Sequence, residues 1–190
     1  MPKVAGLLLA AGEGSRLGRP KALVELDGRT LAERGVMMLR EGGCDPVIVV
    51  TGAVDVAVPS ARSVHNAEWR TGMGSSLRAG LAALPETAEA AVVALVDQPR
   101  VTAAAVRRLV AAYGSGAGVA VATYGGAPRN PVLLAREHWD EAARMAVGDV
   151  GARPFLRAHP ERVTEVPCDD VGSPADIDTA EDLAALGHEP

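Results

Sequence analysis

Short apolar runs alternate along the chain with longer segments whose apolar residues recur at helical spacing. The runs are rich in valine, leucine and alanine, and runs of this kind are typical of buried strands. Such strands are predicted at residues 4–10, 47–50, 91–96, 119–123, 131–134 and 162–166. Strands that alternate with helices predict an α/β fold with a mostly parallel sheet flanked by helices.

Helical segments fill the intervals between these runs and are predicted at residues 30–41, 75–84, 102–113, 136–145, 151–159 and 178–186. Local signals support several of their ends. Thr30 opens the first helix, Pro85 stops the second, and Thr102 is a predicted N-cap of the third. No linker, repeat or low-complexity stretch interrupts the pattern, which predicts one domain over residues 1–190.

The loop after the first strand combines glycines with two cations. The sequence from Leu7 to Lys21 is LLLAAGEGSRLGRPK, in which Arg16 and Lys21 flank the last glycine. Glycines let the backbone approach a ligand closely, and exposed amides beside cations suit a polyphosphate. The spacing fits neither a Walker loop nor a dinucleotide fingerprint, because Gly18 is not followed by Lys and a hydroxyl residue and comes one position late for GxGxxG.

Carboxylates at two places in the chain are candidate metal ligands. Asp97 directly follows an apolar run, at the end of a strand where open α/β sheets bind ligands, and a carboxylate there can hold Mg²⁺. The alternative role for Asp97 is to cap the helix that begins near Thr102. Asp176 and Asp178 lie in a DID sequence before the last helix, where Asp178 also fits an N-cap with Glu181 as its capping-box partner.

Composition and charge exclude several kinds of partner. The chain has a net charge of −5 and only 3% aromatic residues, which argues against a protein that coats or stacks on nucleic acid. Cys44 and Cys168 are too far apart to indicate a thiolate metal site or a disulfide framework. The absence of a long apolar run, signal peptide or lipidation motif predicts a cytoplasmic protein without a membrane partner.

Five sequence blocks, in order along the chain, carry a resemblance to a known family. The first is the LAAGxGxRxGxPK loop, and the others are NAEWRTGMGSSL at 66–77, LVDQP at 95–99, GDVGAR at 148–153 and DIDTAEDL at 176–183. Together they resemble the MobA/MocA-like nucleotidyltransferases, and LAAG in place of LAGG resembles their molybdenum cofactor cytidylyltransferase branch. The resemblance implies a single-domain, Rossmann-like nucleotidyltransferase fold.

The same resemblance implies roles for individual residues. The expected catalytic residues are Arg16, Lys21 and Asp97. The expected metal ligands, for Mg²⁺, are Asp97, Asp176 and Asp178. The residues expected to bind the nucleotide are Leu9, Ala10, Ala11, Gly12, Gly14, Ser15, Lys21, Ser75 and Ser76. The residues expected to bind the acceptor are Arg129, Asn130, Gly148, Asp149 and Arg153. Ser75 and Ser76 are also preferred N-cap residues, so capping their helix is an alternative role.

The expected reaction is the Mg²⁺-dependent transfer of CMP from CTP to the phosphate of a molybdopterin-type cofactor, with release of pyrophosphate. A molybdenum enzyme that receives the product is the expected protein partner. Arg129–Asn130 stands where the cytidylyltransferase branch has Gly-His, which changes charge and hydrogen bonding where the second substrate would lie. Two alternatives stay open: an NAD(P)H-dependent oxidoreductase on the same scaffold, and a non-catalytic carrier of finished cofactor.

Overall fold

In the computed structural model, which describes residues 1–187, a seven-stranded sheet organises the chain. The strands are β1 (Val4–Leu9), β2 (Glu25–Leu26), β3 (Arg29–Thr30), β4 (Val47–Thr51), β5 (Arg62–His65), β6 (Ala90–Leu95), β7 (Val119–Tyr124), β8 (Ala127–Ala135) and β9 (Val163–Pro167). The sheet order is β5-β4-β1-β6-β8-β7-β9, and β2 pairs with β3 in a separate hairpin. Only β8 runs antiparallel to its sheet neighbours, so the predicted mostly parallel sheet is confirmed.

Helices cover both faces of the sheet. They are α1 (Leu31–Glu41), α2 (Met73–Ala83), α3 (Ala103–Gly114), α4 (Trp139–Met145), α5 (Arg153–Ala158) and α6 (Ala180–Leu186). Residues of α1 and α3 pack on one face with Leu8, whereas residues of α2, α4 and α5 pack on the other face with Leu7. Among residues 1–187, no helix is long and apolar enough to cross a membrane.

The central strand β1 explains why the sequence folds as a two-faced sheet. All six of its residues are buried, because successive side chains point to opposite faces and both faces are covered by helices. Helix α1 lies so close to β1 that a Cβ on Gly35 would be 2.7 Å from the Leu8 side chain. A larger residue at this position would push the helix away from the sheet.

The helix caps confirm two predictions and correct one. Thr30 caps α1, the helix that it is predicted to open, and Thr102 caps α3, as predicted. The N-cap of α6 is Thr179, with Asp182 as its capping-box partner, so the predicted cap pair Asp178 and Glu181 is wrong by one residue. The Asp182 carboxylate accepts hydrogen bonds from the backbone amides of both Asp178 and Thr179. This arrangement leaves the Asp178 side chain available for another partner.

Helix α2 also differs from its prediction. It begins at Met73 rather than Ser75 and has Gly72 as N-cap without a capping side chain, so the alternative in which Ser75 or Ser76 caps it is wrong. The predicted helix at 136–145 is a 3-10 turn followed by α4. Strand β5 was not predicted, because three of its four residues are exposed at the edge of the sheet and lack an apolar run.

Candidate functional site

The carboxyl ends of β1, β4, β6 and β7 lie at the same edge of the sheet. These four strands point in one direction, because β8 is antiparallel to both β6 and β7. This edge therefore carries the glycine loop after β1, Asp97 after β6 and the start of β8 at Arg129 and Asn130. Open α/β sheets bind ligands at such an edge, in the crevice outside the strand ends.

An ion-pair cluster joins three distant parts of the chain at this edge. The Lys21 ammonium lies 3.0 Å from Asp97 Oδ2 and 2.6 Å from Asp178 Oδ1. The side chains of Lys21 and Asp97 are only 17% and 24% exposed, whereas that of Asp178 is 46% exposed. The structure thus brings together one cation and two carboxylates that are predicted site residues.

Burial and neighbouring charges shift the titration of this cluster. Burial raises the pKa of Asp97, the charge of Lys21 opposes that rise, and the carboxylates of Asp176 and Asp178 add to it. Burial lowers the pKa of Lys21, but the hydrogen bonds to Asp178 and Asp97 and their charges outweigh that effect and leave its pKa raised. Lys21 therefore carries its charge at neutral pH and holds the two carboxylates together.

Hydrogen bonds attach the segment before α6 to the residues that follow β6. The backbone amide of Ile177 donates a 2.8 Å hydrogen bond to the carbonyl oxygen of Asp97, and the Ile177 side chain is fully buried in the core. Gln98 Nε2 donates to Pro174 O at 3.1 Å and to Asp176 Oδ1 at 2.8 Å. The position of Asp176 and Asp178 beside Asp97 follows from these contacts.

The loop after β1 presents unpaired backbone amides. Ala10 N donates to Val50 O and Ala11 O accepts from Ala53 N, so the chain is anchored up to that point. Beyond it, the amides of residues 12–16 donate no hydrogen bond to any other residue that the structure describes. Gly14 has φ +64°, and a Cβ there would lie 2.0 Å from the carbonyl oxygen of Arg19, so this turn requires glycine.

The two cations of the loop differ in their contacts. Lys21 stands in a short 3-10 turn, Lys21–Leu23, and makes both ion pairs described above. Arg16 is exposed and forms no salt bridge with a residue in the described part of the chain. Its guanidinium is therefore free to move toward a ligand on the loop.

Ser75 and Ser76 lie in a buried hydrogen-bond network around Asn66. Asn66 Nδ2 donates to Ser75 Oγ at 2.8 Å and to Ser76 Oγ at 3.1 Å, and Asn66 Oδ1 accepts from the Glu68 amide. All three side chains belong to residues that are 3–4% exposed. Sequence reasoning did not single out Asn66, although it opens the 66–77 block, because its partners lie on the next helix.

The expected acceptor residues fall into two groups. Gly148 and Asp149 contact the start of α2: Gly74 N donates to Gly148 O at 2.9 Å, and Met73 N donates to Asp149 Oδ1 at 3.3 Å. Gly72, with φ +114°, permits this approach, since a Cβ there would lie 2.5 Å from Gly148 O.

The other group is less constrained by its neighbours. The Arg129 side chain is exposed, and among the described residues it donates a hydrogen bond to the adjacent carbonyl oxygen of Pro128. Asn130 is half-buried, and Arg153 is exposed at the start of α5. Within the residues described, no hydrogen bond or salt bridge links Arg129 or Arg153 to another predicted site residue. The structure therefore does not join the acceptor candidates into one network.

The carboxylates fit a hard cation held jointly with a ligand. In the described range, no group of three or more His, Cys, Asp or Glu side chains is arranged to hold a metal alone. Asp97 and Asp178 nevertheless converge on one point of positive charge, now the Lys21 ammonium. Mg²⁺ is typically bound by one or two carboxylates, with waters and substrate phosphates completing its octahedron, so this donor set fits Mg²⁺ together with a nucleotide.

Comparisons with known proteins match the chain to one family model and to relatives with different activities. Residues 6–163 match the model of a family described as MobA-like NTP transferase domain. The chain is 41% identical to nicotine blue oxidoreductase of Paenarthrobacter nicotinovorans, over 98% of this chain and 97% of that protein. It is 39% identical to a probable molybdenum cofactor guanylyltransferase of Opitutus terrae, over 53% of this chain and 51% of that protein.

A solved structure shares the whole fold. Rv0371c of Mycobacterium tuberculosis superposes with a TM-score of 0.84 at 28% identity, covering 99% of both chains. A structure of Rv0371c in complex with manganese superposes with a TM-score of 0.80, covering 97% of both chains. The sheet order and the flanking helices described above are therefore those of an established fold.

Proposed function

The chain belongs to the MobA-like NTP transferase family, and we propose that it transfers CMP from CTP to the phosphate of a molybdopterin-type acceptor. The observation that carries the proposal is the pairing of two features at one sheet edge. Five consecutive backbone amides after β1, at residues 12–16, have no hydrogen-bond partner in the described part of the chain, and the Lys21 ammonium at the same sheet edge is held by Asp97 and Asp178. Amides and a cation together suit a triphosphate.

In this proposal the glycine loop binds the phosphates of CTP. The amides of residues 12–16 donate to phosphate oxygens, and Arg16 and Lys21 neutralise their charge. An oxygen of the acceptor phosphate attacks the α-phosphorus in line, the bond from that phosphorus to the bridging oxygen breaks, and pyrophosphate leaves with the electron pair. An ionised phosphate is already a nucleophile, so positioning and electrostatic stabilisation supply most of the catalysis.

Asp97 and Asp178 would hold the Mg²⁺, with Asp176 close enough for its charge to act on Asp97. When bound, Mg²⁺ supplies positive charge to the phosphates of the nucleotide. The manganese complex of Rv0371c supports a divalent cation in this family. In this scheme the nucleotide phosphates would attract the Lys21 ammonium, so that Asp97 and Asp178 would be available to hold the metal.

The proposal for cytosine rests on the position of Ala11. Ala11 is 7% exposed and its carbonyl oxygen bonds Ala53, so its methyl group is fixed where the loop leaves the sheet. A methyl group at this point narrows the space for a base and favours a pyrimidine. Leu9, Ala10 and Ser15 would complete the nucleotide site, and Asn66 would orient Ser75 and Ser76.

The acceptor would bind between the hairpin of β7 and β8 and the loop at 146–152. Arg129 and Arg153 would contact its phosphate, Asn130 and Asp149 its polar groups, and Gly148 would offer backbone to a close ligand. We further propose that the reaction takes place in the cytoplasm, where nucleoside triphosphates are supplied, and that a molybdenum enzyme receives the product.

A second candidate function is NAD(P)H-dependent oxidoreduction. The observation that favours it is the 41% identity to nicotine blue oxidoreductase over nearly the full length of both proteins. The pyrophosphate of a dinucleotide would then occupy the same unpaired amides. This function needs no divalent cation between Asp97 and Asp178, so the dependence of ligand binding on a divalent cation distinguishes the two candidate functions.

The test is a thermal-shift panel of CTP, GTP, UTP, ATP and NADPH, each with Mg²⁺ and with EDTA, followed by turnover assays. A nucleotide at a hundredfold excess over its Kd raises the free energy of unfolding by about 2.7 kcal/mol. We expect CTP with Mg²⁺ to stabilise most and to give pyrophosphate with molybdopterin as acceptor. Metal-independent stabilisation by NADPH, with oxidation of NADPH by a quinone-like dye, would establish the second function instead. Binding of finished cofactor without turnover would indicate a carrier.

A further inference from the structure

We propose that Gln98 is a positioning residue that fixes Asp176 and the segment before α6 against the end of β6. The inference rests on the proposed metal–nucleotide site and names a residue that keeps its carboxylates in place. It explains how Asp176 and Asp178 keep one geometry with Asp97, which lies 79 residues before Asp176 in the sequence.

The backbone of the segment is attached to the stretch after β6 at two points. Ser173 N donates to Arg100 O at 3.2 Å, and Ile177 N donates to Asp97 O at 2.8 Å. Residues 174–176 lie between these points and belong to no helix or strand. Within the segment, Ala175 N donates to Ser173 Oγ at 3.2 Å, but this bond does not reach the β6 end. A side chain from the β6 end attaches residues 174–176 to that end.

Gln98 supplies that side chain. It is 7% exposed, and both hydrogens of its amide nitrogen are used, by Pro174 O at 3.1 Å and by Asp176 Oδ1 at 2.8 Å. Reversing the amide would turn the carbonyl oxygen toward two acceptors, so the contacts fix its orientation. Its Oε1 is buried without a hydrogen-bond partner among the described residues, so the side chain is held by its two donated bonds.

The bond to Asp176 orients a charge as well as a loop. A hydrogen bond to a carboxylate is stronger than one between neutral groups, and here the donor carries no charge of its own. Asp176 is an exposed residue, so without Gln98 its carboxylate would be free to turn into water. Gln98 thereby keeps negative charge beside Asp97 without adding a cation that would compete with a metal.

A double-mutant cycle on Gln98 and Asp176 tests this role. The readout is the affinity for Mn²⁺ with saturating CTP, measured by electron paramagnetic resonance of free Mn²⁺, which requires no acceptor and no turnover. We expect Gln98→Met, which keeps the size of the side chain, to weaken Mn²⁺ binding about tenfold, the typical effect of losing a group that orients a ligand. In an Asp176→Ala background the same substitution should have less than about a threefold effect, because its target is gone.

Thr102→Val is the matched control. Thr102 Oγ1 donates to Val171 O at 2.5 Å and caps α3, so it ties down the same segment at a point away from Asp176. We expect this variant to melt at a lower temperature and to bind Mn²⁺ like the wild type. If loosening the segment were sufficient, Thr102→Val would weaken Mn²⁺ binding as Gln98→Met does, and the positioning role would be wrong.

The outcomes separate this inference from the proposed function. Wild type that binds Mn²⁺ with CTP, together with folded Gln98→Met protein of equal affinity, overturns the role of Gln98 and leaves the proposed function intact. Wild type that shows no CTP-dependent Mn²⁺ binding overturns the proposed function and the inference with it. If Gln98→Met fails to fold, Gln98→Ala removes the donating amide without adding bulk or charge, and wild-type affinity in that variant also overturns the role.

Discussion

The nucleotide half and the acceptor half of the proposed site differ in how firmly their side chains are held. On the nucleotide side, Lys21 bonds two carboxylates, and Gln98 fastens the loop that carries Asp176. On the acceptor side, Gly148 and Asp149 bond the start of α2, but the Arg129 side chain bonds no described residue beyond its neighbour Pro128. Preorganised groups lose less entropy on binding, so the nucleotide half is suited to chemistry common to a family. The acceptor half is free to vary with the second substrate.

Removal of the Asp97 carboxylate, in the nucleotide half of the proposed site, should have the largest effect on turnover. We expect Asp97→Asn to fold, since Lys21 retains Asp178, and to lower Mg²⁺-dependent turnover on the order of a thousandfold. Thermal melting checks the fold, and pyrophosphate release checks turnover. Wild-type rates in this variant would show that Asp97 has no part in metal binding.

Replacing the cation between the carboxylates should have two opposite effects. We expect Lys21→Met to lower turnover about a hundredfold, through loss of one electrostatic contact to the transition state. Without nucleotide, the same variant should bind Mn²⁺ more tightly than wild type, because Asp97 and Asp178 lose their internal cation.

Arg16→Met is the control for this pair of effects. Arg16 makes no salt bridge with the described residues, so its loss should not strengthen Mn²⁺ binding in the absence of nucleotide. Equal Mn²⁺ affinity in wild type and Lys21→Met would mean that the ion pairs do not compete with a metal.

A substitution at Ala11 should have a smaller effect, which concerns the choice between CTP and GTP. We expect wild type to prefer CTP over GTP by at least about tenfold, or roughly 1.4 kcal/mol. Ala11→Gly should reduce that ratio, since one methyl-sized group discriminates between ligands by about 1–3 kcal/mol. Competition of the two nucleotides in the presence of Mg²⁺ measures the ratio. A preference for GTP in the wild type would contradict the choice of cytosine and leave nucleotidyl transfer untouched.

A substitution in the acceptor half should have the smallest effect on nucleotide binding. We expect Arg129→Ala to raise the KM for a phosphorylated acceptor about tenfold, as for one lost charge-assisted contact worth roughly 1.4 kcal/mol. The affinity for CTP, measured separately by calorimetry, should stay within about twofold of wild type. A parallel loss of CTP affinity would place Arg129 in the nucleotide half instead.

The sequence predicts much of the nucleotide half because its signals are local. A glycine loop after one apolar run and an aspartate after another place Lys21 in the loop after β1 and Asp97 at the end of β6 without knowledge of contacts. The sequence does not identify the N-cap of α6, because Asp178 and Thr179 are both good N-cap residues. The extended backbone of Thr179 and the reach of Asp182 decide between them.

Other features depend on distant contacts and could not be read from a local pattern. Gln98 follows Asp97 directly, but its partner Asp176 is 78 residues away, so only the folded chain reveals its role. Strand β5 is specified by pairing with β4 rather than by its own apolar residues. Local patterns therefore predict loops and strand ends, whereas roles that depend on contacts between distant loops become visible only in the folded chain.

In the proposed function, the amides after β1 and the Lys21 cluster bind a nucleoside triphosphate together with a divalent cation. Calorimetric titration of the wild type with CTP, in Mg²⁺ and again in EDTA, is the decisive test of this binding. We expect one site per chain in Mg²⁺ and at least about tenfold weaker binding in EDTA, a loss of roughly 1.4 kcal/mol. CTP affinity that is unchanged by EDTA, or tighter binding of NADPH than of CTP in both buffers, would contradict it.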